Sequence, residues 1–169
     1  MVLNRRQFAT GGAVAAAATL GGAKVCAAAP PAERAGTFEV TRSDEEWRRL
    51  LTPAQYAVLR KSKTEPAGSS PLDGEKRAGT FHCAGCDLPL FSSATKFDSG
   101  TGWPSFWQPL DNAIGTRKEG FLFLEQTEVH CRRCGGHLGH VFDDGPKPTG
   151  LRYCMNGIAM TFKPAASRS

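Results

Sequence analysis

The segment Arg152-Tyr153-Cys154-Met155-Asn156 holds the one cysteine of the globular part of the chain that belongs to no Cys-x-x-Cys pair. Alternation along a strand sends Arg152, Cys154 and Asn156 to one face and Leu151, Tyr153 and Met155 to the other. The thiol then lies between a permanent cation, which favours the nucleophilic thiolate, and an amide able to donate or accept. A free cysteine can equally be a small buried core residue. The polar neighbours here favour a nucleophile.

The segments Phe81-His82-Cys83-Ala84-Gly85-Cys86 and Val129-His130-Cys131-Arg132-Arg133-Cys134 read as two copies of one device, a strand running into a Cys-x-x-Cys turn. Two residues between cysteines let both sulfurs of a tight turn face one point. Two such turns supply the four thiolates of a tetrahedral zinc site, Cys83, Cys86, Cys131 and Cys134. Disulfides or a cycling dithiol are the rival, but neither pair opens a helical pattern. His82 and His130 each precede a better ligand and are expected beside the metal or facing solvent. Four sulfurs leave no open coordination position, so the zinc is expected to be structural.

Two further segments carry polar chemistry. In Gly136-His137-Leu138-Gly139-His140-Val141-Phe142-Asp143-Asp144-Gly145 two imidazoles lie close together with carboxylates nearby, which suits an acid or proton shuttle. In Lys96-Phe97-Asp98-Ser99-Gly100-Thr101-Gly102-Trp103-Pro104-Ser105-Phe106-Trp107 glycines and a proline surround Trp103. This reads as a rigid, irregular loop whose indole is either buried or offered as a binding wall.

The elements that position these groups follow from pattern. Ser43 with Glu46, and Thr52 with Gln55, match capping boxes that open two short helices, the second with Pro53 in its first turn. Ser62 to Gly79 is a Pro/Gly/Ser-rich surface connection. Beyond it, strands are expected at 80–82, 114–118, 121–130, 140–142, 152–156 and 158–162, separated by turn residues. Alternation changes phase at Gly157, which predicts a bulge or strand end there.

A chain of 169 residues with 40% hydrophobic content suits one modest domain. The net charge of +5 is partly in Arg5, Arg6 and Lys24, and the remainder is scattered without interleaved aromatics, which argues against nucleic-acid binding. Asn4-Arg5-Arg6-Gln7-Phe8, followed by a weakly apolar run from Gly11 to Ala23, resembles a twin-arginine export signal. The run is too short to span a membrane. Cleavage after Ala27 discards Cys26, and Lys24 and Val25 depart from the pattern that would lipidate it. The expected organisation is therefore a signal at 1–27, a flexible lead-in at 28–42, one domain at 43–163 and a tail at 164–169, in a periplasmic protein without a stable membrane anchor. An exported protein that folds first can load zinc onto reduced thiols before meeting an oxidant.

Cys83-x-x-Cys86, Ser99-Gly-Thr-Gly-Trp103-Pro-Ser-Phe106, Cys131-x-x-Cys134-Gly-Gly-His137-Leu-Gly-His140-Val-Phe-Asp143-Asp144-Gly and Arg152-Tyr-Cys154-Met-Asn156 together closely resemble the methionine-R-sulfoxide reductases of the B type, from about Trp47 to Phe162. The resemblance implies a mainly β fold (α+β by content). Two antiparallel sheets form a β-tent over the four-cysteine zinc site, with short N-terminal helices outside. It implies that Cys154 attacks the sulfoxide sulfur and becomes a sulfenic acid. His137 and His140 then position and protonate the oxygen, with Asn156, Arg152 and Asp144 in the same network. Trp103 matches the indole that packs on the substrate methyl group, with Phe106 expected beside it. Many relatives carry a resolving cysteine where Thr101 stands. Reduction is therefore expected directly from an external thiol, a thioredoxin-like protein or a small molecule. Gly157 stands where relatives commonly have Ser. Substrates are expected to be oxidised peptides or proteins, met by a monomer. Two other readings are a zinc-supported binding module, which leaves Cys154, Asn156, His137 and His140 unexplained, and an exported thiol-disulfide oxidoreductase.

Overall fold

The computed structural model describes residues 38–120 and 125–166. The export-signal reading, Cys26, most of the lead-in and part of the strand expected at 121–130 lie outside the described residues. Among the described residues two helices, α1 (Asp44–Leu50) and α2 (Pro53–Lys61), precede nine strands. Both open with the expected capping boxes: Ser43 and Thr52 each accept from the backbone three residues on, and Glu46 and Gln55 reach back. The extended cap residue Leu51 ends α1 and Thr52 starts α2, so the chain turns without a loop. No helix of the described residues is long and apolar enough to cross a membrane.

The strands form two antiparallel sheets. A three-stranded sheet orders β2 (Pro89–Ser92), β1 (Gly79–Cys83) and β9 (Met160–Pro164). A six-stranded sheet orders β3 (Lys96–Phe97), β4 (Ser105–Phe106), β8 (Arg152–Met155), β7 (His137–Phe142), β6 (Gln126–Cys131) and β5 (Ile114–Glu119). The mainly β class with two antiparallel sheets and short N-terminal helices is as expected.

Aromatic rings join the sheets. Phe106 of β4 stacks on Phe91 of β2 at 4.4 Å between centroids and meets Phe81 of β1 edge-on at 4.9 Å. All three are fully buried, and a buried phenyl ring contributes about 1.5–3 kcal/mol. Phe106 is 0% exposed, so it is a core residue and does not line the substrate surface where it was expected.

The strand expected at 152–156 stops at Met155, and Gly157–Ala159 forms a 3₁₀ turn before β9. The strand end expected at Gly157 is thus present, and the strand expected at 158–162 begins two residues later. Its cause is a buried carboxylate: Glu65 is 8% exposed and accepts from the backbone of Gly157 and, at 3.0 Å, of Ile158. The same residue receives the Trp103 indole N–H on its carbonyl at 3.1 Å and donates its own N–H to Asn156 Oδ1 at 2.9 Å. Glu65 therefore fastens the Trp103 loop, the end of β8 and the 3₁₀ turn together. Asn156 completes the clasp by donating both its backbone N–H (2.8 Å) and its Nδ2 (3.0 Å) to Leu138.

Removing an acceptor from buried N–H groups costs about 1–3 kcal/mol for each group left unsatisfied. Glu65→Ala is accordingly expected to lower unfolding free energy in urea by at least about 2 kcal/mol, because the N–H groups of Gly157 and Ile158 lose their acceptor while the backbone carbonyl that holds the Trp103 indole is kept. Unchanged stability would show that Glu65 is not the clasp.

Candidate active site

Cross-strand register assembles the reactive groups. Cys154 of β8 pairs with Ser105 of β4 on one side and with His140 of β7 on the other. His140 in turn pairs with Glu128 of β6, and Glu128 with Arg117 of β5. Directly opposed residues project to the same face. One row across the sheet therefore reads Ser105, Cys154, His140, Glu128, Arg117.

His137 joins that face through an irregularity. In a regular strand, residues three apart point to opposite faces, which would separate His137 from His140. The pairing of β6 with β7 shifts register between Val129 and His130, so that Val129 faces Gly139 while His130 faces His137. The extra residue, Leu138, is fully buried, and the His137 and His140 rings meet edge-on with centroids 5.4 Å apart.

The two histidines differ in environment. His137 is 1% exposed, and its Nδ1 lies 2.8 Å from Glu128 Oε1. Glu128 is itself 0% exposed, and its other oxygen meets the Arg117 guanidinium at 2.8 Å. His140 is half-buried, with Nε2 3.9 Å from Glu119 Oε2. Burial first, then the charge of His137, holds His140 below the usual imidazole range, against the weaker pull of Glu119 and Glu128.

The thiol is shaped by burial more than by its cation. Thr101 Oγ1 lies 3.9 Å from Cys154 Sγ and continues through Ser99 (2.8 Å) to the buried hydroxyl of Ser105 (2.7 Å). Burial pushes the Cys154 thiol above its ordinary value; Thr101 and then Arg152 oppose this without reversing it. Arg152 thus favours the thiolate as expected, but burial outweighs it. The guanidinium is also held by Asp144, with Nε 2.8 Å from Oδ1 and Nη2 2.8 Å from Oδ2, and lies over Phe142. Asp144, held below the usual carboxylate range by that pair, anchors Arg152 and does not reach the thiol directly.

Trp103 is half-buried, its N–H spent on Glu65 and its ring held by the loop. Gly102 must be glycine there: its φ is +84°, and a Cβ would come within 2.9 Å of Gly68 N. Asn156 is 3% exposed with its amide engaged by Glu65 and Leu138, so it acts by holding neighbouring segments; this differs from the direct contact expected beside Cys154.

Away from this row, Cys83 at the end of β1 and Cys86 in the turn after it meet Cys131 at the end of β6 and Cys134 in the turn after it. The four sulfurs lie within 4.8 Å of one another, with Cys83 to Cys134 at 3.7 Å and Cys86 to Cys131 at 3.5 Å. None of the four is in a disulfide. The cluster can hold one metal ion and links a turn of each sheet. His82 instead bonds the Asp87 carbonyl at 3.1 Å, and His130 lies over Gly115; neither contributes to the cluster.

Sequence reasoning missed Ser105, Glu65, Glu128 and Arg117. Gln126, Glu128 and His130 share one strand face by alternation and so resemble a solvent face, yet the histidines of β7 cover Glu128. Only its spacing from two histidines in the next strand signals a buried role.

Comparison with known proteins agrees with this arrangement. The SelR domain family matches residues 51–164. A peptide methionine sulfoxide reductase MsrB of Leptospira interrogans is 50% identical over 127 residues, 75% of this chain and 97% of that protein. One from Pseudomonas putida is 52% identical over 127 residues, 75% of this chain and 96% of its own length. The chloroplastic peptide methionine sulfoxide reductase B1 of Oryza sativa is 47% identical over 127 residues, 75% of this chain and 59% of the relative.

Because the thiolate is the reactive form and the folded pKa of Cys154 is raised, alkylation by iodoacetamide is expected to accelerate with pH and to level off only above the ordinary thiol range. A rate already maximal at neutral pH would contradict the dominance of burial.

Proposed function

Because the chain belongs to the MsrB family of peptide methionine sulfoxide reductases, we propose that Cys154 reduces the R epimer of methionine sulfoxide in peptides and proteins, repairing oxidative damage. The observation that carries this reading is the register of β8 with β7, which sets the one described thiol outside the sulfur cluster beside an imidazole.

The thiolate of Cys154 attacks the sulfoxide sulfur and forms an S–S bond while the oxygen is protonated and leaves as water; water then adds to the Cys154 sulfur, the S–S bond breaks, and methionine is released with Cys154 left as a sulfenic acid, so that the sum is thiol plus sulfoxide giving sulfenic acid plus thioether. The His137–His140 pair supplies a proton to the oxygen while the thiolate forms and attacks. Because burial keeps the resting thiol protonated, thiolate is generated only as substrate brings a proton acceptor into the row. Trp103 offers an apolar wall for the methyl group and the polar row an anchor for the oxygen, which together prefer one hand of a chiral sulfoxide.

Thr101 cannot resolve the sulfenic acid. An external thiol condenses with it, releasing water and leaving a mixed disulfide; a second thiol of a thioredoxin-like protein or small molecule then frees Cys154. In this reading the four clustered cysteines hold structural Zn2+: a tetrahedron with zinc–sulfur bonds of about 2.3 Å has edges of about 3.8 Å, near the distances between these sulfurs. The bound ion contributes folding energy and takes no part in the reaction. We place the mature protein, a monomer, in the periplasm after twin-arginine export, a route that Asn4-Arg5-Arg6-Gln7-Phe8 supports.

Cys154→Ser is expected to abolish methionine formation, at least about a thousandfold, while retaining zinc and the cooperative unfolding of the parent. Cys83→Ser is expected to lose zinc and unfold. Comparable activity in Cys154→Ser would overturn the reading.

A further inference from the structure

His137 Nε2 is buried and has no hydrogen-bond partner among the described residues. Such an atom costs about 1–3 kcal/mol when left unsatisfied, and it sits in a ring whose other nitrogen is fully committed. An ionised carboxylate only accepts, so the 2.8 Å contact to Glu128 Oε1 requires the proton to be on Nδ1. The Arg117 guanidinium, 2.8 Å from Glu128 Oε2, supplies the positive charge that a fully buried carboxylate needs. Glu128 is also fixed in the row by its pairing with His140 and Arg117 on either side.

We infer that Glu128 is a positioning residue for the reductase reaction: it fixes His137 with Nδ1–H toward the carboxylate and leaves Nε2 as the ring atom reserved for the sulfoxide oxygen. Glu128 touches no substrate and works through the imidazole. When both ring nitrogens are protonated, the carboxylate balances the charge, and Nε2 donates to the oxygen as the S–O bond breaks. His140, which burial keeps toward its neutral form, completes the polar wall beside Cys154. The inference rests on the reading above for the identity of the oxygen; the ring orientation stands independently.

The test is long-range proton–nitrogen NMR of the zinc-loaded protein labelled in histidine, with Glu128→Gln as comparison. The expected wild-type spectrum shows His137 protonated at Nδ1 with a slowly exchanging proton. Glu128→Gln is expected to lose that preference and to slow single-turnover methionine release about 10-fold to 100-fold, with KM changed less than about twofold because no substrate contact is removed. A wild-type His137 protonated at Nε2 would overturn the inference, as would the same tautomer and rate in a folded Glu128→Gln variant. Should that variant fail to fold, the wild-type tautomer still decides. Failure of the reductase reading shows separately, as a wild-type chain that releases no methionine.

Discussion

Antiparallel register across β4, β8, β7, β6 and β5 is the constraint on which the site depends. Side chains alternate with a period of two, so a slip of one residue between β7 and β8 would send Cys154 and His140 to opposite faces. Several features hold the register. A Cβ at Gly139 would overlap the Cys154 carbonyl, so glycine permits the close approach of these strands. Asn156 binds Leu138 twice just beyond the end of β8. Leu138 is the extra residue that turns His137 back onto the face of His140.

The sulfur cluster and the carboxylate clasp act at the margins of that sheet. The cluster joins the ends of β1 and β6 and the turns after them, so one strand of each sheet is held at the same point. Glu65 joins the Trp103 loop to the end of β8. The Trp103 indole, on the Glu65 carbonyl, and the chain just after Cys154, on the Glu65 carboxylate, are thereby held by one buried residue. Gly157 belongs to this clasp: a Cβ there would run into the side chain of Ser70, which occupies the space instead. The glycine therefore leaves no gap, and the strand end is tightened by Glu65.

Much of this was legible from residue pattern. The paired Cys-x-x-Cys turns, both capping boxes and the strand carrying Cys154 have local signatures. What was not legible depended on partners distant in sequence. β4 is two residues long, too short for any period, yet it supplies the neighbour of Cys154 and the core ring of Phe106. Glu65 lies in a connection with the composition of a surface loop and is nonetheless buried, because distant N–H groups require an acceptor. Arg152 has the charge expected to activate a thiol, but Asp144 also holds its guanidinium and burial decides the balance.

Single turnover with separate R and S epimers of a peptide methionine sulfoxide, without reductant, tests the central claim most directly. The zinc-loaded protein should release one equivalent of methionine from the R epimer alone, matched by loss of the Cys154 thiol and a trappable sulfenic acid. No methionine from either epimer, with metal and fold intact, would contradict the account and leave the same scaffold as a zinc-supported binding module.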